Sequence, residues 1–252
     1  MSALGKSHTR QKKKESFGEL VRTLVVAVLI AVGVRSFAFE PFNIPSESML
    51  PTLMVGDYLF VSKYSYGYSH YSLPWSLPLF EGRIWASPPV RGDVAVFKLP
   101  SDPSQDYIKR IIGLPGDRIQ VRKGVLYIND VAVRRERVDD FLYPLGNGRV
   151  ARIPQYRETL PNGRSYLTLD AIRGSAGDNT QVFTVPPGHY FGMGDNRDNS
   201  LDSRFDVGFI PEENLVGPAR VLFMSLKKGT SIWQIWKLPF NIRYSRLFTT
   251  IQ

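Results

Sequence analysis

Asp93-Val94-Ala95-Val96-Phe97-Lys98 is the stretch on which the fold turns. Four apolar residues in succession, with Gly92 just before and Pro100 just after, read as a short strand. Similar β-branched or aromatic runs, flanked by Gly, Pro, Asn or Asp, recur at 58–61, 118–121, 125–128 and 182–185. Tyr107-Ile108-Lys109-Arg110-Ile111-Ile112 is a further strand near the core, and alternation puts Tyr107, Lys109 and Ile111 on one face and Ile108, Arg110 and Ile112 on the other. Lys123-Gly124 separates two of the runs and predicts a hairpin whose tip needs positive φ. No long amphipathic helical period follows Val34, and no repeat is present, so the bulk of the chain reads as a β-rich domain. Residues 134 to about 181 are polar, Arg-rich and punctuated by Gly and Asn, which suggests an inserted hairpin layer or subdomain.

Upstream of the strands lies Thr23-Leu24-Val25-Val26-Ala27-Val28-Leu29-Ile30-Ala31-Val32-Gly33-Val34, without a charge. Alone it covers about 18 Å, short of the roughly 30 Å hydrocarbon core. Arg22 and Arg35 can snorkel to the interfaces, and a helix from Phe17 to Phe39 reaches about 34 Å. The residues after it, Arg35-Ser36-Phe37-Ala38-Phe39, are bulky or charged where a signal-peptide cleavage site wants small ones, so an uncleaved single-pass anchor is expected, with a cleaved signal and a buried or interfacial helix as the other readings. Lys12, Lys13 and Lys14 precede it, which predicts a cytoplasmic basic tail over 1–16 and an extracytoplasmic domain over 40–252.

The net charge is +9, yet residues 1–35 alone hold seven basic against two acidic side chains. That excess crowds beside the apolar segment rather than on the folded domain, which argues for a membrane and against nucleic acid as partner. The 252 residues are 43% hydrophobic and 22% charged, ordinary globular usage that allows one large or two small domains. The absence of cysteine excludes disulfides, a thiol nucleophile, iron–sulfur clusters and thiolate zinc. His8, His70 and His189 share no short ligand spacing, so no metal or other cofactor is expected.

Two polar stretches stand out. In Ile44-Pro45-Ser46-Glu47-Ser48-Met49-Leu50-Pro51-Thr52-Leu53, extended backbone would point Ser46 and Ser48 the same way. Ser48 can then be a nucleophile whose own N–H and the Ser46 hydroxyl hold an oxyanion; the other reading is a Ser/Pro linker. A base for Ser48 is either His70 or His189, each isolated, or Lys109, whose amine desolvation would neutralise. Lys109 also reads as a snorkelling strand lysine. The second stretch, Gly192 through Arg204, has Asp195, Asp198 and Asp202 at spacings unlike a calcium loop; it reads as a self-bonded loop with Asp202 paired to Arg204. Trp233 and Trp236 lie in a C-terminal segment suited equally to an interface or to packing.

Taken in order, these pieces resemble the bacterial type I signal peptidases, membrane-anchored serine proteases. The likeness rests on the anchor, Pro45-Ser46-x-Ser48-Met49-x-Pro51-Thr52-Leu53, Arg91 to Phe97, Lys109 to Asp117, and Gly194 to Ser200 on through Arg204; the middle insert is unmatched. It implies a core of antiparallel sheets with an inserted β region, resting on the phospholipid membrane. It further implies Ser48 as acylating nucleophile, Lys109 as general base, Ser46 and the Ser48 N–H as oxyanion donors, and Ser200 as the group that orients the amine. Asp202 and Arg204 would be a supporting pair, and Met49 would help line the cleft. Substrates would be preproteins cut after small residues at the plasma membrane. A pilus- or conjugation-type processing peptidase with the same dyad, or a tethered β-domain that binds exported peptides without cutting them, are the alternatives; a self-cleaving repressor would need a DNA-binding domain where the membrane segment stands.

Overall fold

The computed structural model describes residues 17–251 except 74–75, 78, 147–148 and 231–232. The basic tail expected over 1–16, and Ser231 and Ile232 of the tryptophan segment, lie outside the described residues. Helix α1, Phe17–Phe37, has 21 residues, or about 32 Å. It is long and apolar enough to cross a membrane, and none of its most apolar window is buried against the rest of the chain. The helix stops two residues short of the expected Phe39. Ala38 N–H closes it on Val34 O at 2.8 Å, and Phe39 is already extended and paired with Ser62.

From there the chain is almost entirely strand. Phe39–Asn43 (β1) pairs antiparallel with Asp57–Ser62 (β2). The two-residue strands Tyr68–Ser69 (β3) and Arg83–Ile84 (β4) pair with each other. Val94–Leu99 (β5) and Asp102–Gly113 (β6) form a long antiparallel pair, as the two quoted runs predict. Arg118–Arg122 (β7), Val125–Ile128 (β8) and Val131–Ala132 (β9) belong to a second sheet. The β7–β8 tip has Lys123 at φ 49° and Gly124 at φ 76°, the left-handed pair that the hairpin requires.

The Arg-rich insert forms its own three-stranded antiparallel sheet: Arg134–Gly146 (β10), Arg149–Thr159 (β11) and Ser165–Leu169 (β12). Phe183–Thr184 (β13) returns to β7, which makes it shorter than the expected run 182–185. His189–Met193 (β14) and Ile210–Pro211 (β15) pair with each other, and β14 lies beside the end of β6. Leu215–Ser225 (β16) joins β2 to β5 and also receives Thr249–Thr250 (β17), giving an eight-stranded sheet in the order β1-β2-β16-β5-β6-β14-β15, with β17 off that path.

Period-two alternation explains the packing. On β5, Val94 and Val96 enter a cluster with Ile44, Met49, Leu53 and Leu59. Ala95, Phe97 and Leu99 enter another, with Tyr66, Ile111 and Tyr190, against which Tyr107 packs. Ile112 joins a third cluster built on the β7–β8 sheet. Two consequences of this layout position the site. Asp106 to Lys109 pair with β5 on one side, while β14 covers only Arg110 to Gly113 on the other. The Ser46–Ser48 turn, meanwhile, hangs from the cluster that holds Met49.

Candidate active site

The turn that carries Ser48 is fixed by its own backbone and by the 194–204 loop. Leu50 N–H donates to Glu47 O at 3.2 Å, and Leu53 N–H to Met49 O at 2.8 Å. Asn196 N–H donates to Ser48 O at 3.0 Å, and Asn196 Nδ2 donates to Glu47 O at 3.0 Å. Gly194 makes this approach possible: a Cβ there would lie 2.6 Å from Ser48 O and closer still to Ser200. Only glycine fits.

Strand β6 brings Lys109 to the turn. Its Nζ lies 2.8 Å from Ser48 Oγ, and Ser46 Oγ lies 3.3 Å from Ser48 Oγ on the other side. Ser48 and Lys109 are 7% and 4% exposed, whereas Ser46 is exposed. Burial pulls the Lys109 amine down to about 8, against the pull of Asp202 and Asp195, which favour the ammonium. No carboxylate reaches Lys109 within ion-pair distance among the described residues. The Tyr107 ring stands 5.5 Å from Nζ. These groups line a cleft of about 580 Å³ with Pro45, Ile108, Ser200, Leu201 and Phe205.

The Ser48 hydroxyl, the desolvated Lys109 amine and the Ser46 hydroxyl thus meet at the foot of an open strand edge. The model of the family described as "Signal peptidase, peptidase S26" matches residues 17–224. The chain belongs to the signal peptidase family. It is 44% identical over 230 residues to signal peptidase I of Rickettsia conorii, covering 88% of this chain and 84% of that one. It is 43% identical over 230 residues to signal peptidase I of Rickettsia felis, with the same coverage. A crystal structure of a signal peptidase I from Enterococcus faecalis is similar at 27% identity over 52% of this chain and 97% of that one, with a TM-score of 0.31.

Within this signal peptidase fold the other expected residues fall as follows. Asp202 and Arg204 pair, with Arg204 Nε and Nη2 each 2.9 Å from the carboxylate. Asp202 Oδ2 also accepts the Gly194 N–H at 2.9 Å, which ties the pair to the glycine beneath Ser48. Ser200 is buried at the cleft, and its Oγ has no hydrogen-bond partner among the described residues. Met49 is 1% exposed and packs in the central cluster, behind the turn, not among the residues lining the cleft. Trp233 and Trp236 are exposed.

Sequence reasoning missed a buried ionic scaffold. Arg110, on the opposite face of β6 from Lys109, donates through Nε and Nη2 to Asp195 at 2.8 and 2.7 Å, and through Nη1 to Gly92 O at 2.8 Å. Thr52 Oγ1 donates to the same carboxylate at 2.5 Å, so the Ser48 turn and the Lys109 strand share one anchor. Arg197 forms a bidentate pair with Glu158 at 3.0 and 2.6 Å, and Tyr166 OH also donates to Glu158 at 2.8 Å. The insert therefore supplies two groups that brace the 194–204 loop. The signal was available at Arg110: a guanidinium inside an apolar strand needs a buried acceptor.

The three aspartates of that loop serve different partners: Asp195 holds Arg110, Asp202 holds Arg204, and Asp198 Oδ2 accepts the Ala171 and Ile172 N–H groups at 2.7 and 2.8 Å. One carboxylate oxygen each from Asp170, Asp178 and Asp198 cluster within 4.8 Å. Arg135 pairs with Asp170, the Gly174 N–H donates to Asp178 at 2.6 Å, and Asp198 holds the two N–H groups already named, so each of the three carboxylates is engaged within the fold.

Proposed function

We propose that Ser48 and Lys109 perform the signal-peptide cleavage of this serine peptidase family, with Ser48 as nucleophile and Lys109 as the single general base and acid. The observation that carries the reading is a buried lysine 2.8 Å from a serine hydroxyl, with no ion-pairing carboxylate among the described residues and an amine pulled down to about 8. Neutral Lys109 takes the Ser48 proton as Oγ attacks the scissile carbonyl. The Ser48 N–H and the Ser46 hydroxyl hold the oxyanion. When the C–N bond breaks, the Lys109 ammonium protonates the departing amine, the new N-terminus of the mature protein. Lys109 then deprotonates a water that hydrolyses the Ser48 ester and regenerates both groups.

The open edge of β6 at Asp106–Lys109 suits an extended peptide that adds as a strand, delivering its carbonyl to Ser48. Ser200 is assigned to the Lys109 amine as it gains and loses its proton. Asp202 and Arg204 are assigned to support of the loop beneath Ser48. The helix Phe17–Phe37 anchors the chain in the bacterial plasma membrane with the N-terminus cytoplasmic; the sheets that follow are the extracytoplasmic catalytic domain, and about 134–181 are its insert. Preproteins and the phospholipid membrane are the partners. Incubating the full chain in detergent with a labelled preprotein tests the chemistry. Ser48→Ala and Lys109→Arg are each expected to lose at least about 10³-fold in kcat, because a guanidinium cannot give up its proton. Wild-type cleavage by either variant removes the dyad.

A further inference from the structure

Glu47 stands between the two serines of the turn, and its surroundings are unlike theirs. Ser46 and Ser48 line the cleft, whereas Glu47, Tyr143 and Lys228 are not among the residues that line it. Tyr143 OH donates to Glu47 Oε1 at 2.6 Å, and Lys228 Nζ lies 3.2 Å from the same oxygen. From within, Asn196 holds Glu47 O and Ser48 O at 3.0 Å each. The turn is gripped on two sides. Tyr143 belongs to β10, which otherwise pairs only with β11, and Lys228 to the loop after β16. The Tyr143 bond is the foremost reason the Glu47 carboxyl titrates below its ordinary range. Burial first, then Glu47, pushes the Tyr143 phenol up to about 12. Carboxylate and neutral phenol therefore face each other throughout the neutral range.

We propose that Tyr143, Glu47 and Lys228 form a positioning clamp that sets the reach of Ser46 and Ser48 into the cleft, making the β10–β11 ribbon part of the catalytic apparatus. The inference rests on Ser48 being the nucleophile. Thr52 is held by Asp195 beyond the turn, and Asn196 holds its carbonyls. The Glu47 side chain gives the turn a second hold, separate from Asn196. A shift of the 46–48 segment, which would change the 2.8 Å Ser48–Lys109 separation and swing the oxyanion donors, works against that hold as well. Glu47, Tyr143 and Lys228 touch no reacting atom, so their effect belongs to kcat rather than to substrate affinity.

The test is steady-state cleavage of a preprotein by the full chain in detergent, with Ser48→Ala as reference. Glu47→Ala and Tyr143→Phe are expected to lower kcat about tenfold each with KM within about twofold, since a misplaced nucleophile loses rate before binding. The double variant is expected to match Glu47→Ala alone, because both changes remove one contact. Glu47→Gln, which keeps an acceptor for Tyr143, is expected to recover most of the rate. The acidic limb of the kcat profile stays in place in all of them, as Lys109 sets it. Wild-type kcat in both single variants, with Ser48→Ala dead, overturns the clamp and leaves the dyad standing. Multiplying losses in the double variant, or a rise in KM alone, also overturns it. Activity in Ser48→Ala overturns the dyad and the clamp together.

Discussion

Lys109 and Arg110 are neighbours on one strand, both cationic types, and both almost wholly buried at 4% and 1% exposure. Their fates differ because the two sides of β6 differ. Arg110 meets a carboxylate in bidentate geometry, a backbone carbonyl and a threonine hydroxyl. Despite burial, that company raises its already high pKa. Lys109 meets a serine hydroxyl and an aromatic ring, and burial wins. One desolvated cation is a permanent strut; the other is an amine whose charge burial makes easy to lose. What separates them is whether an acceptor of full negative charge lies within reach.

The strut side carries the largest expected effect on stability. Arg110→Met leaves Asp195, itself 1% exposed, as a buried carboxylate without its cation. Breaking such a pair from one end costs about 3–5 kcal/mol. For a chain of this size that corresponds to a fall in Tm of roughly 10 °C, read by thermal unfolding of the full chain in detergent. Replacing both partners, as Arg110→Met with Asp195→Leu, should restore much of the loss, because no charge is then stranded. A single variant within about 2 °C of the wild type would show that Arg110 and Lys109 do not differ in this way.

How much of this contrast the sequence reveals depends on the range of the interaction. The strands β5 and β6 are legible because alternation and flanking breakers are local properties. The helix is legible for the same reason, and its end is misjudged by two residues because the pairing of Phe39 with Ser62 is tertiary. The ribbon announces itself only as a change of composition, and nothing local in its polar strands signals that Glu158 braces Arg197 from 39 positions away. Ser48 and Lys109 are each ambiguous alone, as a linker serine and a snorkelling lysine. Their order among the other motifs made the resemblance specific, and the 2.8 Å contact unites them. Nothing local signals the contacts of Glu47, because Tyr143 and Lys228 are remote in sequence.

On the base side, burial should cost the fold what it gives the chemistry. The amine is drawn from 10.5 to about 8, so at pH 7 both the folded and the unfolded chain hold the proton, and the folded one holds it at a penalty of about 3 kcal/mol. Above pH 8 the folded chain releases the proton first. The unfolded state then binds more protons, and stability rises with pH until the unfolded lysine titrates near 10.5. Lys109→Met removes the penalty. It is expected to be inactive yet more stable than the wild type by about 3 kcal/mol at pH 7, with the gain falling to less than half of that at pH 9.5. Denaturant unfolding at the two pH values measures both. A gain that is absent, or that does not shrink with pH, would mean that Lys109 carries its charge as comfortably as Arg110.

Ser200 sharpens the comparison with the smallest effect. Its Oγ is buried beside the cleft without a hydrogen-bond partner among the described residues, whereas Thr52, Asp195 and Arg110 on the other side are engaged with one another. A buried hydroxyl that makes no bond to the protein contributes little to stability, and one left wholly unsatisfied costs about 1–3 kcal/mol. Assigned to the Lys109 amine, it becomes useful when Nζ gains the Ser48 proton and needs an acceptor to hold its new N–H. Ser200→Ala is then expected to lower kcat about tenfold, worth about 1.4 kcal/mol, with KM within about twofold. Stability should stay level or rise, since the variant removes an orphaned polar group and leaves only a small void. The two readouts move in opposite directions only if the hydroxyl serves the base. A fall in kcat matched by a fall in Tm would make Ser200 a packing residue, and an unchanged kcat would leave Lys109 to hold its proton unaided.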